Sequence, residues 1–343
     1  MTGLAAGAIR RAPDGLLLKD VAELFHYDAG LFLTPAQLAV DVRRRQPRCF
    51  VSHAHSDHIA RHELALATGP TACLYQHRMG SRHRVLEMRY RQPLEFGSLR
   101  LTAYPAGHCL GSAMLLAEFG DRSLLYTGDF KLDAPLTAEP AELPQADILI
   151  MESTFGRPHY RLPPRASVIA QLLELVDAAL AQCKTPVIHA YPLGKSQEVT
   201  RLLTSHGVPV LQHPAIFAIS RIYQSCGIEL GDVSPFSGQA LLGHAVVTLP
   251  RTAREFRLPG LTRTVSIAVT GWAKDASAKY RLGVDHALPL SDHADFDQLI
   301  ETVRRVAPRE IYCTHGPLEF VDHLCDLGFN AYPLHPPAQR RLF

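Results

Sequence analysis

His53-Ala54-His55-Ser56-Asp57-His58 packs three imidazoles and a carboxylate into six residues, directly after the apolar run Cys49-Phe50-Val51. Imidazole and carboxylate are ligands for divalent metal ions, and a catalytic ion needs about three protein ligands with a position left open for water. In an extended turn at a strand end, His53 and His55 point to one side while Asp57 and His58 reach a second ion. Two ions roughly 3.5 to 4 Å apart form the clamp used to hydrolyse phosphoesters and amides. The plainer reading is a histidine-rich surface loop, in a chain with 18 histidines. That reading leaves the polar residues behind the neighbouring strands unexplained.

The chain around this cluster has 343 residues and is 47% hydrophobic, enough for one large domain or two ordinary ones with a substantial core. No apolar stretch approaches the roughly 20 residues that span a bilayer, and the N-terminus lacks a charged segment followed by an apolar one. No membrane partner is expected. Seven cysteines are scattered without a C-x-x-C pair, which argues against a disulfide framework or a thiolate zinc site and fits a reducing, cytoplasmic setting. The net charge of +2 announces no nucleic-acid partner by itself, so any basic surface is local. Arg43-Arg44-Arg45 and the arginines between Gln76 and Arg91 are the two clusters, readable as phosphate contacts or as solvated faces.

Short apolar runs separated by turn residues dominate the first 150 positions: 38–40, 49–51, 99–103, 114–117, 124–126 and 148–151. The notable polar residues follow these runs: Asp41, the opening cluster, Asp129 in Thr127-Gly128-Asp129, and Glu152 in Glu152-Ser153-Thr154-Phe155. Strand ends therefore converge on one edge, where layered α/β folds carry their sites. After Gly156 the pattern changes to helices at 166–180 and after Gly194, alternating with strand-like runs at 186–190 and 264–270, the pattern of a separate α/β unit. A helix from about Ala294 and a strand into Thr314-His315-Gly316 then return to site-forming patterns, as if the end of the chain rejoins the first domain.

Taken in order, His53, His55, Asp57, His58, His108 in Gly107-His108-Cys109, and Asp129 resemble the motif series of the metallo-β-lactamase fold. Asp41, 12 residues before His53, stands where that family carries its first aspartate; Asp28, 25 residues before, competes for the position. Glu152, His293 in Ser291-Asp292-His293-Ala294-Asp295 and His315 resemble the three later motifs of the β-CASP nuclease branch. Residues 153–292 leave room for its extra domain, where Gly194-Lys195-Ser196-Gln197-Glu198 is also similar to a family segment. The phrasing of these motifs is similar to bacterial ligase-associated DNA exonucleases.

The resemblance implies a four-layer αββα metallo-β-lactamase fold over 1–156 and 276–343, with an inserted α/β β-CASP domain over 157–275. It implies two divalent ions, with zinc the first guess for an imidazole-rich site and manganese the alternative. His53, His55 and His108 would hold one ion, Asp57, His58 and His315 the other, and Asp129 would bridge them. Asp57 would also orient or deprotonate the attacking water, and His293 would protonate the leaving 3′-oxygen with Glu152 behind it. Asp41 reads as an acceptor that orients ligand histidines.

The implied function is hydrolysis of nucleic acid, with a DNA exonuclease trimming strand ends in repair favoured, in functional association with a DNA ligase and helicase. His315 prompts the alternative of an exo- or endoribonuclease acting on RNA. A small ester or thioester hydrolase is the reading from a different class, but it needs neither an inserted domain nor Glu152 with His293. A scaffold without activity would tend to lose ligands. Ser153 and Thr154 are readable as phosphate-holding or as turn residues. Lys195 is readable as a phosphate ligand at a helix start or as an exposed first-turn lysine. Trp272, the one tryptophan, could stack on a base, with burial at the domain seam the favoured alternative.

Overall fold

The computed structural model describes residues 24–239, 241–250, 261 and 263–335. Residues 1–23, on which the absence of an export leader was read, lie outside the described residues. Six strands form a first sheet in chain order: β1 (Phe25–Tyr27), β2 (Leu31–Leu33), β3 (Leu38–Val40), β4 (Arg48–Phe50), β5 (Leu64–Thr68) and β6 (Arg84–Met88). Helix α1 (Gly69–Met79) crosses between the last two. The basic segment from Gln76 onward is thus the end of a helix and an edge strand. The exposed charges Arg84 and Glu87 on that strand suit an edge that must not pair with another chain.

The second sheet begins with β7 (Leu94–Phe96), β8 (Leu99–Pro105), β9 (Ala113–Phe119), β10 (Arg122–Tyr126) and β11 (Ile148–Glu152). Its sequence alternates so that both faces are apolar. Leu115, Leu124, Tyr126, Ile148 and Ile150 meet Leu38, Val40, Phe50 and Leu66 of the first sheet. One residue out of step, Met114, Leu116, Leu125, Leu149 and Met151 face the other way. A period of two with both phases apolar is what a sheet covered on both sides requires.

After β11 the chain leaves this pair of sheets. Helices α2 (Arg165–Ala181), α3 (Lys195–Ser205) and α4 (Pro214–Ser225) alternate with β12 (Thr185–His189), β13 (Val210–Gln212), β14 (Val233–Pro235), β15 (Ala245–Thr248) and β16 (Thr264–Val269). After the short helix α5 (Ala278–Leu282), β17 (His286–Leu288) completes a third, all-parallel sheet in the order β14-β13-β15-β12-β16-β17. Because β17 pairs with β16, this sheet runs to Leu288, beyond the boundary of 275 expected from the sequence. A three-residue strand with a half-buried histidine carries too little pattern to be read alone.

Helix α6 (Phe296–Val306), β18 (Glu310–Thr314), α7 (Leu318–Asp326) and β19 (Ala331–Pro333) return to the second sheet, with β18 beside β11. Asp295 caps α6 by accepting from the Gln298 amide at 3.0 Å, so the helix starts at Phe296 rather than at Ala294. Phe296, Leu299 and Val303 of α6, with Phe320 and Leu324 of α7, cover the outer face of the second sheet. Tyr75 of α1 packs on Ala65 and Ala67 behind the first. The four layers are therefore helix, sheet, sheet, helix, with an α/β unit inserted.

Candidate metal centre and active site

The ends of β3, β4, β10, β11 and β18 meet at one edge; β11 closes on Glu152, and the turns after the other four carry Asp41, His53, Asp129 and His315. Four imidazoles converge there on one carboxylate. The Nε2 atoms of His53, His58 and His108 lie 3.5, 3.4 and 3.9 Å from Asp129 Oδ2, and His55 Nδ1 lies 3.0 Å from His108 Nε2. His53, His55, His108 and Asp129 form one tight group of donor atoms, and Asp41, His53 and His58 another.

The outer nitrogen of each ring is already committed. His55 Nε2 donates to Leu193 O and His108 Nδ1 to Asp292 O, both at 3.0 Å. His58 Nδ1 donates to Asp41 Oδ2 at 2.9 Å, and His53 Nδ1 to Ser52 Oγ at 2.9 Å, which itself donates to Asp41 at 2.5 Å. The inward nitrogens of His53, His55 and His108 therefore present lone pairs. His53 Nε2 is buried with no hydrogen-bond partner, and the lone pairs of His55 and His108 face each other. Polar atoms buried this way cost free energy unless something binds them. Neutral imidazoles oriented from behind by acceptors, around a carboxylate, make a donor set for divalent metal ions.

Electrostatics agree with that geometry for His53, His55 and His108, whereas His58 keeps its proton between Asp129 and Asp41. Burial, aided by the neighbouring imidazoles, pulls His53 well below the usual histidine range, His55 down to about 3 and His108 to about 4. Burial opposes the charge on His58 too, but Asp129 and Asp41 outweigh it and hold that ring well above its ordinary value. Asp129 stays well below the carboxylate range: burial works against its charge, and His58 and His293 overcome it.

On the far side of Asp129, His293 Nδ1 donates to Glu152 Oε1 at 2.9 Å. Glu152 also accepts from the Phe130 amide at 3.0 Å and from Thr154 Oγ1 at 2.5 Å, which fixes its orientation. Burial lowers the His293 pKa, but Glu152 and Asp129 prevail and hold it at about 9. Its side chain keeps 26% of its surface open, against 1% for Glu152.

The other residues singled out from the sequence fall in three places. Asp41 sits behind the cluster, accepting from the Ser52 amide and hydroxyl, His58 Nδ1 and Tyr126 OH. Asp28, its competitor, is exposed and pairs with Arg44. Asp57 and His315 stand at the rim: Asp57 is 61% exposed with Oδ2 4.0 Å from His58 Nε2, and the His315 ring is 5.6 Å from that of His58. Asp41 and His315 both have positive φ, an uncommon conformation for a side chain and one found at sites the surrounding structure must hold in place. No side chain would fit at Gly316, where an added Cβ would strike the Ser153 backbone.

Three residues depart from the substrate-binding reading. Ser153 is buried and its hydroxyl donates to Thr314 O at 3.1 Å, while Thr154 spends its hydroxyl on Glu152. Lys195 is neither exposed nor free for a phosphate. The first turn of α3 is buried against the first unit, and Lys195 Nζ pairs with Asp292 Oδ1 at 2.5 Å and Glu198 Oε2 at 3.3 Å. Arg165 and Lys131 join Glu198 from other elements. The sequence reading missed this ion cluster, and with it Asp292, whose backbone oxygen orients His108 and whose carboxylate anchors Lys195. Its only sequence signal was charge within buried-looking motifs.

The imidazole cluster opens into a cavity of about 630 Å³, and a second of about 680 Å³ adjoins it; the two share Asp57, Thr154, Trp272 and His315 as lining. Trp272 is exposed there, not buried at the seam. Among the described residues no helix is long and apolar enough to cross a membrane.

Residues 279–332 match the family model described as "Zn-dependent metallo-hydrolase RNA specificity domain". Over 328 residues the chain is 38% identical to a protein of Opitutus terrae named "Probable DNA ligase", covering 92% of this chain and 31% of that protein. Over 303 residues it is 31% identical to the "5′ exonuclease Apollo" of Gallus gallus, covering 84% of this chain and 62% of that one. The chain thus spans less than two thirds of either relative. A solved Enterococcus faecalis protein of unknown function has a similar fold, with a TM-score of 0.59 at 14% identity over 84% of this chain and 79% of that one. The four-layer fold, its inserted parallel sheet and these likenesses agree, and the chain belongs to the metallo-β-lactamase/β-CASP family.

Proposed function

We propose that the protein is a metal-dependent phosphodiesterase that hydrolyses nucleic acid, with DNA exonuclease activity at strand ends favoured. The observation that carries this reading is the His293–Glu152 pair, 2.9 Å apart, set against the imidazole cluster beside a cleft. A thioester hydrolase, whose thiolate leaving group departs unprotonated, has no need of a leaving-group acid there.

His53, His55, His58, His108 and Asp129 would hold the divalent ions, with Asp57 and His315 at the rim. Zinc is favoured by the imidazole-rich donor set, with manganese the alternative. Such ions supply Lewis-acid stabilisation of phosphoryl oxygens and make water acidic near neutral pH. Asp57, exposed to both cavities, orients the attacking water and accepts its proton. His293, protonated at neutral pH, donates to the leaving 3′-oxygen, while Glu152 keeps the ring aligned through Nδ1. Asp41 holds His53 and His58 in their tautomers. Residues 24–156 together with residues 289–335 form the catalytic unit in this proposal, and the described residues between them wall the cleft.

The likeness to Apollo and to part of a protein named a DNA ligase supports DNA and a working association with ligation; a helicase is a further proposed associate. Seven free cysteines support a reducing cytoplasm. RNA is the second reading, favoured by His315 and by the match over 279–332. Matched end-labelled DNA and RNA strands, incubated with the metal-analysed protein and with Asp57→Asn, test both. The expected result is DNA cleavage lost in the variant. RNA-only cleavage would overturn the DNA assignment, and turnover of a chromogenic thioester with neither polymer cut would overturn the nuclease reading.

A further inference from the structure

Most large exposed apolar side chains on a protein surface are scattered and need no explanation. Here three exposed aromatic residues are not scattered. Tyr191, exposed by 47%, lines the cavity into which the imidazole cluster opens; Tyr27, exposed by 42%, lines the adjoining cavity. Trp272, exposed by 42%, lines both.

Trp272 is held as a fixed surface. Strand β16 ends at Val269, and the turn Gly271–Ala273 is capped by Thr270, whose hydroxyl accepts from the Trp272 amide at 3.4 Å. Phe155 lies behind the indole at 4.8 Å between ring centroids, and Tyr160 meets it edge-on at 5.5 Å. Phe155 in turn stands edge-on to the His293 ring at 6.1 Å. A single buried ring thus separates the exposed indole from the proposed leaving-group acid. Basic side chains accompany the aromatics: Arg43 and Arg157 line the cavity shared with Tyr27, and Arg78 the cavity shared with Tyr191.

We propose that Trp272 is a stacking platform for an unpaired nucleobase next to the scissile phosphate, so that the substrate enters this cleft as a single strand. This rests on the nuclease reading above and sharpens it. The base faces of a duplex are already stacked on their neighbours, and an exposed indole beside the reacting centre gains little from them. A single strand offers free base faces and a charged backbone, and a groove that interleaves aromatic rings with arginines matches both. Stacking on a planar ring tolerates any base, so the platform selects strandedness rather than sequence.

Since Trp272 is the one tryptophan, its fluorescence reports on this position alone. The experiment titrates the metal-loaded wild-type protein with a phosphorothioate oligothymidylate, a blunt duplex of equal length and an abasic strand of equal length. In parallel, KM on a cleavable single strand is measured for wild type, Trp272→Ala and Trp272→Phe. Quenching by the oligothymidylate alone is expected, with KM raised on the order of tenfold in Trp272→Ala and largely restored by phenylalanine. Equal quenching by the abasic strand, preferential quenching by the duplex, no quenching, or a phenylalanine variant as impaired as alanine would overturn the proposal. If wild type cleaves nucleic acid while Trp272→Ala keeps its KM, this inference fails and the nuclease reading stands. If wild type cleaves neither DNA nor RNA, the nuclease reading itself fails.

Discussion

Two buried polar clusters lie against each other across the seam of this protein. Around Asp129, four imidazoles point inward and His53 Nε2 finds no partner. Beside it, Lys131, Arg165 and Lys195 surround Glu198 and Asp292; Lys131 Nζ, like His53 Nε2, makes no hydrogen bond, but every member of this cluster has an opposite charge within 4 Å and three of the five are cations. The first cluster is incomplete without a cation; the second brings its own. Asp292 joins them, since its backbone oxygen orients His108 while its carboxylate holds Lys195, as burial's upward pull on its pKa is overcome by the two lysines and kept at about 2. The difference separates a site built for ligands from a clamp that fixes the inserted unit against it.

Variants can break that contrast, the largest effects falling in the incomplete cluster. Asp129→Ala should abolish metal retention together with activity, as read by metal analysis of the purified protein. His293→Ala should keep its metal and lose about 10²- to 10⁴-fold in kcat, the usual worth of a general acid. Asp41→Ala should lower metal affinity by about 10- to 100-fold without removing a donor to the ions, measured by competition with a chelator. Lys195→Met should act in the opposite sense. It leaves Asp292 buried without its partner, a loss of roughly 3–5 kcal/mol in stability, yet the folded fraction should retain its kcat at low temperature. Glu152→Gln should have the smallest effect at neutral pH. The carboxylate helps hold His293 at about 9, so the protonated acid is lost as pH rises through that value. Without the charge, the alkaline limb of the kcat profile should move to lower pH.

The same contrast explains what was legible in the chain. Strands such as Ala113–Phe119 and Ile148–Glu152 announced themselves because successive residues from Ala113 to Ala117 and from Ile148 to Glu152 alternate between two buried faces. The imidazole cluster was legible because three of its rings fall within six residues, fixed by one turn after β4. The charge clamp draws on positions 131, 165, 195, 198 and 292, which only the folded chain brings together. Lys195 looked like a surface residue because a buried lysine has no local signature; its burial depends on a partner 97 positions later (292 − 195). Trp272 was misjudged for a similar reason. Nothing in Thr270-Gly271-Trp272 tells which side of the indole Phe155 will cover.

The most direct measurement is cleavage of an end-labelled DNA strand by protein stripped with chelator and then reloaded with a divalent ion, run beside His293→Ala prepared in the same way. The account predicts that activity disappears with the metal and returns in proportion to what is rebound, while His293→Ala binds as much metal and leaves the strand intact. Cleavage that survives chelation, or a His293→Ala protein that cuts at the wild-type rate, would contradict it.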